Sequence, residues 1–140
     1  MRVIDFIVAD DIRREIGHKV SLMGIYNDTI RIAAPPNASF PIGMRLGLYF
    51  RLLLEEQDTI PDNFLVKVFH NDTELGEFGG RIPPVKDEVK VMVFPIVAEQ
   101  LPIPGEGKLS IQLQMLRGKE SLLVAEPPFA IDVKVESSKA

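Results

Sequence analysis

Apolar residues recur at every second position in short runs along the chain, and turn-forming residues separate the runs. In Lys108–Arg117, Leu109, Ile111, Leu113 and Met115 take one side, while Lys108, Ser110, Gln112 and Gln114 take the other. Phe129–Val135 repeats the pattern, with Phe129, Ile131 and Val133 against Ala130, Asp132 and Lys134. A period of two matches the pleat of an extended chain, so each run predicts a strand with one face on a core and one in water. Leu46, Leu48, Phe50, Leu52 and Leu54 form a third such face. Leucine favours helices, but apolar residues at i, i+2 and i+4 would wrap around a helix instead of lining one side. Val3–Val8, Lys19–Tyr26, Thr29–Ala33, Phe64–His70, Thr73–Phe78, Val89–Val97 and Ser121–Ala125 bring the expectation to about ten strands.

Three connections read as two-residue hairpins: Asn27-Asp28, Asn71-Asp72 and Gly118-Lys119. Asn, Asp and Gly tolerate the positive φ angles that tight hairpin turns require. One short helical turn is expected near residues 10–16. Asp10 or Asp11 would cap the N–H groups of Ile12-Arg13-Arg14-Glu15-Ile16, and Gly17 would close the end. Most of the eleven prolines fall between runs; Pro95 interrupts one, which predicts an edge strand or a bulge there. No window supplies the helical crossover that parallel pairing needs. The expected fold is all-β: a two-sheet antiparallel sandwich, immunoglobulin-like or a similar Greek key, with a closed barrel as the alternative. One domain over residues 1–135 and a disordered tail over 136–140 are expected.

Composition narrows the chemistry. The 140 residues contain no cysteine, which excludes disulfides, thiolate metal sites and cysteine nucleophiles within this chain. Asp5, Asp10 and Asp11 interrupt the first apolar run, so no signal peptide is read there. No stretch reaches the roughly 18 apolar residues of a membrane helix. A cytoplasmic location without membrane attachment is expected. The net charge of −4 repels phosphate backbones, and the basic cluster Arg13, Arg14, His18 and Lys19 is diluted by Asp10, Asp11 and Glu15. Nucleic acid is not expected as a partner.

Candidate sites are few. His18 and His70 lack further ligands at metal spacing, and no metal or other cofactor is expected. Asp10-Asp11, Asp58 with Asp62, and Asp72 could donate oxygens to calcium, but capping and turn formation explain them more simply. No Gly-x-Ser-x-Gly motif occurs, no carboxylate pair stands out, and no catalytic residue is assigned. Gly79-Gly80-Arg81 forms a glycine-rich loop beside a cation, a candidate anion nest in which Arg81 would grip a phosphate or carboxylate; a plain loop is the simpler reading. Several apolar residues fall opposite the main face of their strand. Tyr49 and Leu53 do so in one run, and Met92 and Phe94 stand opposite Val91 and Val93 in another. With the exposed Arg13 and Arg14 they make a candidate interaction surface, unless the proline-rich loop Ala34–Gly43 covers the apolar ones.

The opening strand, then Ala9-Asp10-Asp11-Ile12-Arg13, Gly17 and Lys19-Val20-Ser21-Leu22-Met23-Gly24-Ile25-Tyr26, resembles the start of a family of small uncharacterised bacterial β-sandwich proteins. The Leu46–Leu54 strand, the Gly107-Lys108-Leu109 entry and the final Phe129–Val135 strand are similar in layout. The resemblance implies a bacterial or phage-associated origin and a β-sandwich; it supplies no catalytic residues. The expected function is therefore a non-enzymatic protein-interaction or assembly module, with a protein partner or a homo-oligomer. The alternatives are a small-ligand or anion-binding sandwich and an enzyme with an unrecognised site.

Overall fold

Ten strands follow one another in the computed structural model, which describes residues 1–84 and 90–137: β1 (Arg2–Glu15), β2 (Lys19–Ile25), β3 (Thr29–Ala34), β4 (Ile42–Leu53), β5 (Asn63–His70), β6 (Thr73–Arg81), β7 (Val91–Ile103), β8 (Gly107–Arg117), β9 (Glu120–Ala125) and β10 (Ile131–Ser137). A four-stranded sheet runs β2-β1-β4-β7, and a six-stranded sheet runs β3-β10-β8-β5-β6 with β9 also on β8. The sheets stay open, so the expected sandwich is the fold and the closed barrel is not.

The inward faces are the ones the alternation marks. Leu46, Leu48, Phe50 and Leu52 of β4 meet Leu109, Ile111, Leu113 and Met115 of β8 in one core, all essentially inaccessible to water. Burying one such side chain contributes about 1.5–3 kcal/mol. An aromatic row crosses that core. Phe6 lies 5.6 Å from Phe50, Phe50 stacks on Phe94 at 4.7 Å, and Phe94 meets Phe64 edge-on at 5.7 Å. The row ties three strands of one sheet to β5 of the other.

Two of the expected hairpins form. Asn71 and Asp72 join β5 to β6 at φ 46° and 68°, and Gly118 at φ 59° turns β8 into β9. Asn27-Asp28 does not close a hairpin, because β2 pairs with β1 while β3 crosses to the other sheet and pairs with β10. That β3–β10 pair is parallel, while the other strand pairs among the described residues are antiparallel. β5 occupies one edge of β8, so β9 and β10 share its other edge, opposite Leu113–Arg117 and Gly107–Leu109 respectively. They are two halves of one interrupted strand.

The helical turn expected near residues 10–16 is absent. Asp11 to Glu15 are extended and pair residue by residue with Met23 to Lys19, and cross-strand partners outweigh a marginal cap. The real turn is Ile16-Gly17-His18, with Gly17 at φ 86° and His18 at φ 57°. β10 runs through Ser137, so Glu136 and Ser137 belong to a strand and not to the tail, whose last residues 138–140 lie outside the described residues. Val89, expected to open a strand, also lies outside them. No helix among the described residues is long and apolar enough to cross a membrane.

Candidate interaction site on the four-stranded sheet

β1 is long because it serves two partners. Arg2–Ala9 pairs with β4, and the remainder pairs with β2, making an arm that leaves β4 after Ala9. The arm lies over the sheet's outer face. Gly47 points outward between the inward Leu46 and Leu48, and a Cβ added there would fall 2.9 Å from Ile12 Cγ1. Farther along, Arg14, His18, Lys19 and Val20 share a cleft of about 390 Å³ with Val93 and Pro95 of β7. The Arg45 guanidinium fastens the arm at its base, 2.8 Å from Asp11 Oδ1 and 3.2 Å from Glu99 Oε1. Its hydrogen bond to Asp11, helped by the Ile12 N–H, holds the Asp11 carboxyl below the usual range. The cover of this face thus includes an arm that sequence reasoning took for a helical turn.

The candidate interaction residues divide on inspection. Arg13 and Arg14 are exposed on the arm as expected, Arg13 Nε lying 3.9 Å from Asp11. Ile16, at the tip, is 93% exposed. Tyr49 and Leu53 are half-buried on the outer face, opposite Pro95 and Val91. Met92 and Phe94 are not on the surface: they are 6% and 8% exposed and belong to the core, so Val91 and Val93 are the outward pair. Alternation fixes which residues share a face, not which face turns inward; the stack of Phe94 on Phe50 decides it.

β7 is an edge strand, the first of the two readings of Pro95, and its backbone directions follow from one bond. The Leu54 N–H donates to the Lys90 carbonyl at 2.7 Å, continuing the β4–β7 register in which Leu52, Phe50 and Leu48 face Met92, Phe94 and Ile96. In an antiparallel ladder hydrogen-bonded pairs alternate. Met92, Phe94 and Ile96 therefore direct their backbone groups to β4. Val91, Val93, Pro95 and Val97 direct theirs to the free edge, where the missing N–H of Pro95 costs the ladder nothing.

Gly79-Gly80-Arg81 is the end of β6, not a loop. Gly79 and Gly80 pair with Leu65 and Phe64, and neither has the positive φ an anion nest requires. The glycines admit neighbours: a Cβ on Gly80 would lie 3.2 Å from the Phe64 ring, and one on Gly79 3.1 Å from the Phe64 carbonyl. Arg81 stands exposed between two clefts. One, about 830 Å³, is lined by Asp62, Asn63, Phe64, Gly79 and Gly80. The other, about 400 Å³, runs along β7, lined by Phe64, Ile82, Val91, Val93, Phe94 and Ile96 with Pro84 and Pro95. In the larger cleft Asp62 accepts the Gly118 N–H at 2.9 Å and the Asn63 amide at 2.6 Å. These bonds, the Gly118 one foremost, hold its carboxyl below the usual range, with Arg117 adding to the effect. A carboxylate that stays ionised there opposes an anion.

Asp10 and Asp58 accept hydrogen bonds within the fold, while Asp72 sits in the β5–β6 turn. The Tyr26 hydroxyl donates to Asp10, and Asp58 accepts the Glu55 N–H at 2.8 Å. His70 is buried, its Nε2 3.0 Å from the Gly105 carbonyl, and His18 forms the arm's turn. Sequence reasoning passed over Ile16, Met23 and Ile25, whose exposure depends on the arm being a hairpin. The chain matches no protein-family model, and no curated protein is significantly similar to it.

Proposed function

We propose that this chain is a non-enzymatic protein-interaction or assembly module that engages its partner through the four-stranded sheet and its arm. The observation that carries the reading is where apolar surface is exposed. Of the nine large hydrophobic residues exposed among the described residues, six belong to this sheet or the turn of its arm: Ile4, Ile16, Met23, Ile25, Val91 and Val93. Exposed apolar residues gathered on one part of a surface mark contact sites more often than scattered ones. Among the described residues the larger sheet contributes only Val124 to that set. The strand order supports an immunoglobulin-like classification: β4 and β7 are neighbours in one sheet, and β5, β8 and β10 in the other, as B and E, then C, F and G, are in that fold. A bacterial origin and a cytoplasmic setting are part of the proposal and rest on the resemblance and the cysteine-free composition.

A photo-reactive residue placed at Ile16, Met23 or Val93, with Lys134 of β10 as control, tests it in cells that express the protein at native level. Adducts at the first three positions and not at Lys134 are expected. Adducts equally frequent at Lys134, or at none of the four, overturn the reading. Anion binding at Arg81 is the second reading, favoured by the absence of an ion-pair partner for Arg81 among the described residues. Titration with inorganic phosphate, read by the Arg81 and Gly80 amide resonances, would show saturable shifts that Arg81→Gln abolishes.

A further inference from the structure

The free edge of β7 combines three features that select an occupant. Its backbone presents the N–H and C=O groups of Val91, Val93 and Val97 and the C=O of Pro95 along an edge that pairs with no strand among the described residues. Beside that edge runs the cleft whose walls are Phe64, Ile82, Phe94 and Ile96. At the rim stands the Arg81 guanidinium, with no ion-pair partner among the described residues. Unpaired backbone groups are matched by another extended backbone, apolar walls by alternate apolar side chains, and a guanidinium by a carboxylate.

We propose that this edge receives an extended peptide segment of a partner protein, added as a fifth strand beside β7, with alternate apolar residues in the cleft and an acidic side chain on Arg81. The inference rests on the interaction-module reading and names its site and the chemistry of its partner. Pro95 gives the site a register. The peptide must pair at Val91, Val93 and Val97 while forgoing one donor between them, and a flat strand seeking continuous pairing is rejected there. That gap also weighs against a second copy of β7 as occupant, because a symmetric pair would contain two prolines.

The probe is a phage library of random nine-residue peptides selected on the full chain, with enriched peptides then measured by fluorescence polarisation. Enrichment of alternating apolar residues with an Asp or Glu is expected. Val91→Pro and Val93→Pro each remove a donor from the free edge and none from the β4–β7 ladder. Each is expected to weaken the peptides about two- to tenfold, the range for one hydrogen bond, with thermal unfolding near that of the parent. Val91 lies away from the arm, so its variant keeps the test clean where Val93→Pro disturbs the arm cleft. Arg81→Glu is expected to reverse the preference from acidic to basic peptides. Failure to enrich any such peptide, or affinities unchanged in both proline variants, overturns the proposal. So does a dimer of the unliganded chain that Val91→Pro dissolves, since the occupant is then a second copy. Adducts at Ile16 and Met23 despite these failures would leave the broader reading standing and remove only this site.

Discussion

Gly107 opens β8 directly over a buried histidine, and replacing it with alanine should unsettle that whole corner of the sandwich. At φ 157° Gly107 places a hypothetical Cβ 2.6 Å from His70 Cε1 and 2.7 Å from both His70 Nε2 and Asn71 Nδ2. Neither neighbour is free to yield. His70 is 7% exposed and donates from Nε2 to the Gly105 carbonyl at 3.0 Å. Asn71 sits in the β5–β6 turn at φ 46°; its N–H donates to the Lys108 carbonyl at 3.0 Å, and its Oδ1 accepts the Lys108 N–H at 2.9 Å. Forcing a methyl group into a packed site costs about 1–3 kcal/mol. Displacing the imidazole from Gly105 costs about 1 kcal/mol more. The expected loss for Gly107→Ala is about 2–4 kcal/mol, a large share of the ~5–15 kcal/mol that holds a domain folded.

Urea denaturation followed by far-ultraviolet circular dichroism measures that loss, the chain having no tryptophan to report it. A second variant isolates the cause. If the clash is with the ring, Gly107→Ala should cost at least about 1 kcal/mol less in a His70→Ala background, a coupling typical of residues in contact. An equal cost in both backgrounds would refute the packing argument, and a cost below about 0.5 kcal/mol in the parent would refute the strain with it.

Other consequences are open to direct measurement. Gly47→Ala should press on Ile12 and loosen the arm by about 1–2 kcal/mol, seen as faster amide exchange over residues 12–22 and recovered by adding Ile12→Ala; unchanged exchange would place the arm elsewhere. Asp11 and Asp62 have folded pKa values below the ordinary 3.8, so their stabilisation is fully present above about pH 4 and is lost as pH falls through the lowered values. Asp62→Asn should therefore flatten the acid limb of the stability curve while leaving its shape above pH 5 alone. Burial, and then the hydrogen bond to Asp10, raises the Tyr26 phenol far above its ordinary 10.0. A raised pKa stabilises below the unfolded value and is lost as pH rises through the folded one, so spectrophotometric titration should find one of the two tyrosines ionising only on alkaline unfolding; Tyr26→Phe should remove that delayed step.

What the sequence made legible was local, and what it hid was pairing. Alternation located the strands because a half-buried pleat imposes a period of two whatever its partner. Asn71-Asp72 and Gly118 were readable as turns because their φ angles demand those residue types. Pro95 announced an edge or a bulge, because a missing N–H is tolerated in few other places, and the pairing of β7 selects the edge. Asn27-Asp28 has the same chemistry as the true hairpin turns, yet the strands it joins part company, since β2 closes on β1 and β3 on a strand a hundred residues later. Residues 10–16 carry a plausible cap and stop, but one turn of isolated helix is marginal in water and a seven-residue partner strand is not. Met92 and Phe94 were assigned the wrong side for a related reason: parity is local and inwardness is not. Gly79 and Gly80 looked like a loop because glycine is rare in strands, and only the Phe64 ring on the neighbouring strand explains them.

The same distinction bears on function. Arg13 and Arg14 stand on the arm and Tyr49 and Leu53 on the sheet face that the arm partly covers, a relation that no local pattern of the sequence encodes. Val93 and Pro95 line both the arm cleft and the groove along β7, so the two sites share a wall. A strand added at the free edge of β7 would press against residues that also support the arm, and an arm held elsewhere would expose more of the valines flanking that edge. Occupancy of the groove should therefore change amide exchange in residues 12–20. If exchange there is the same with and without a bound peptide, the shared wall is rigid and the two surfaces act independently.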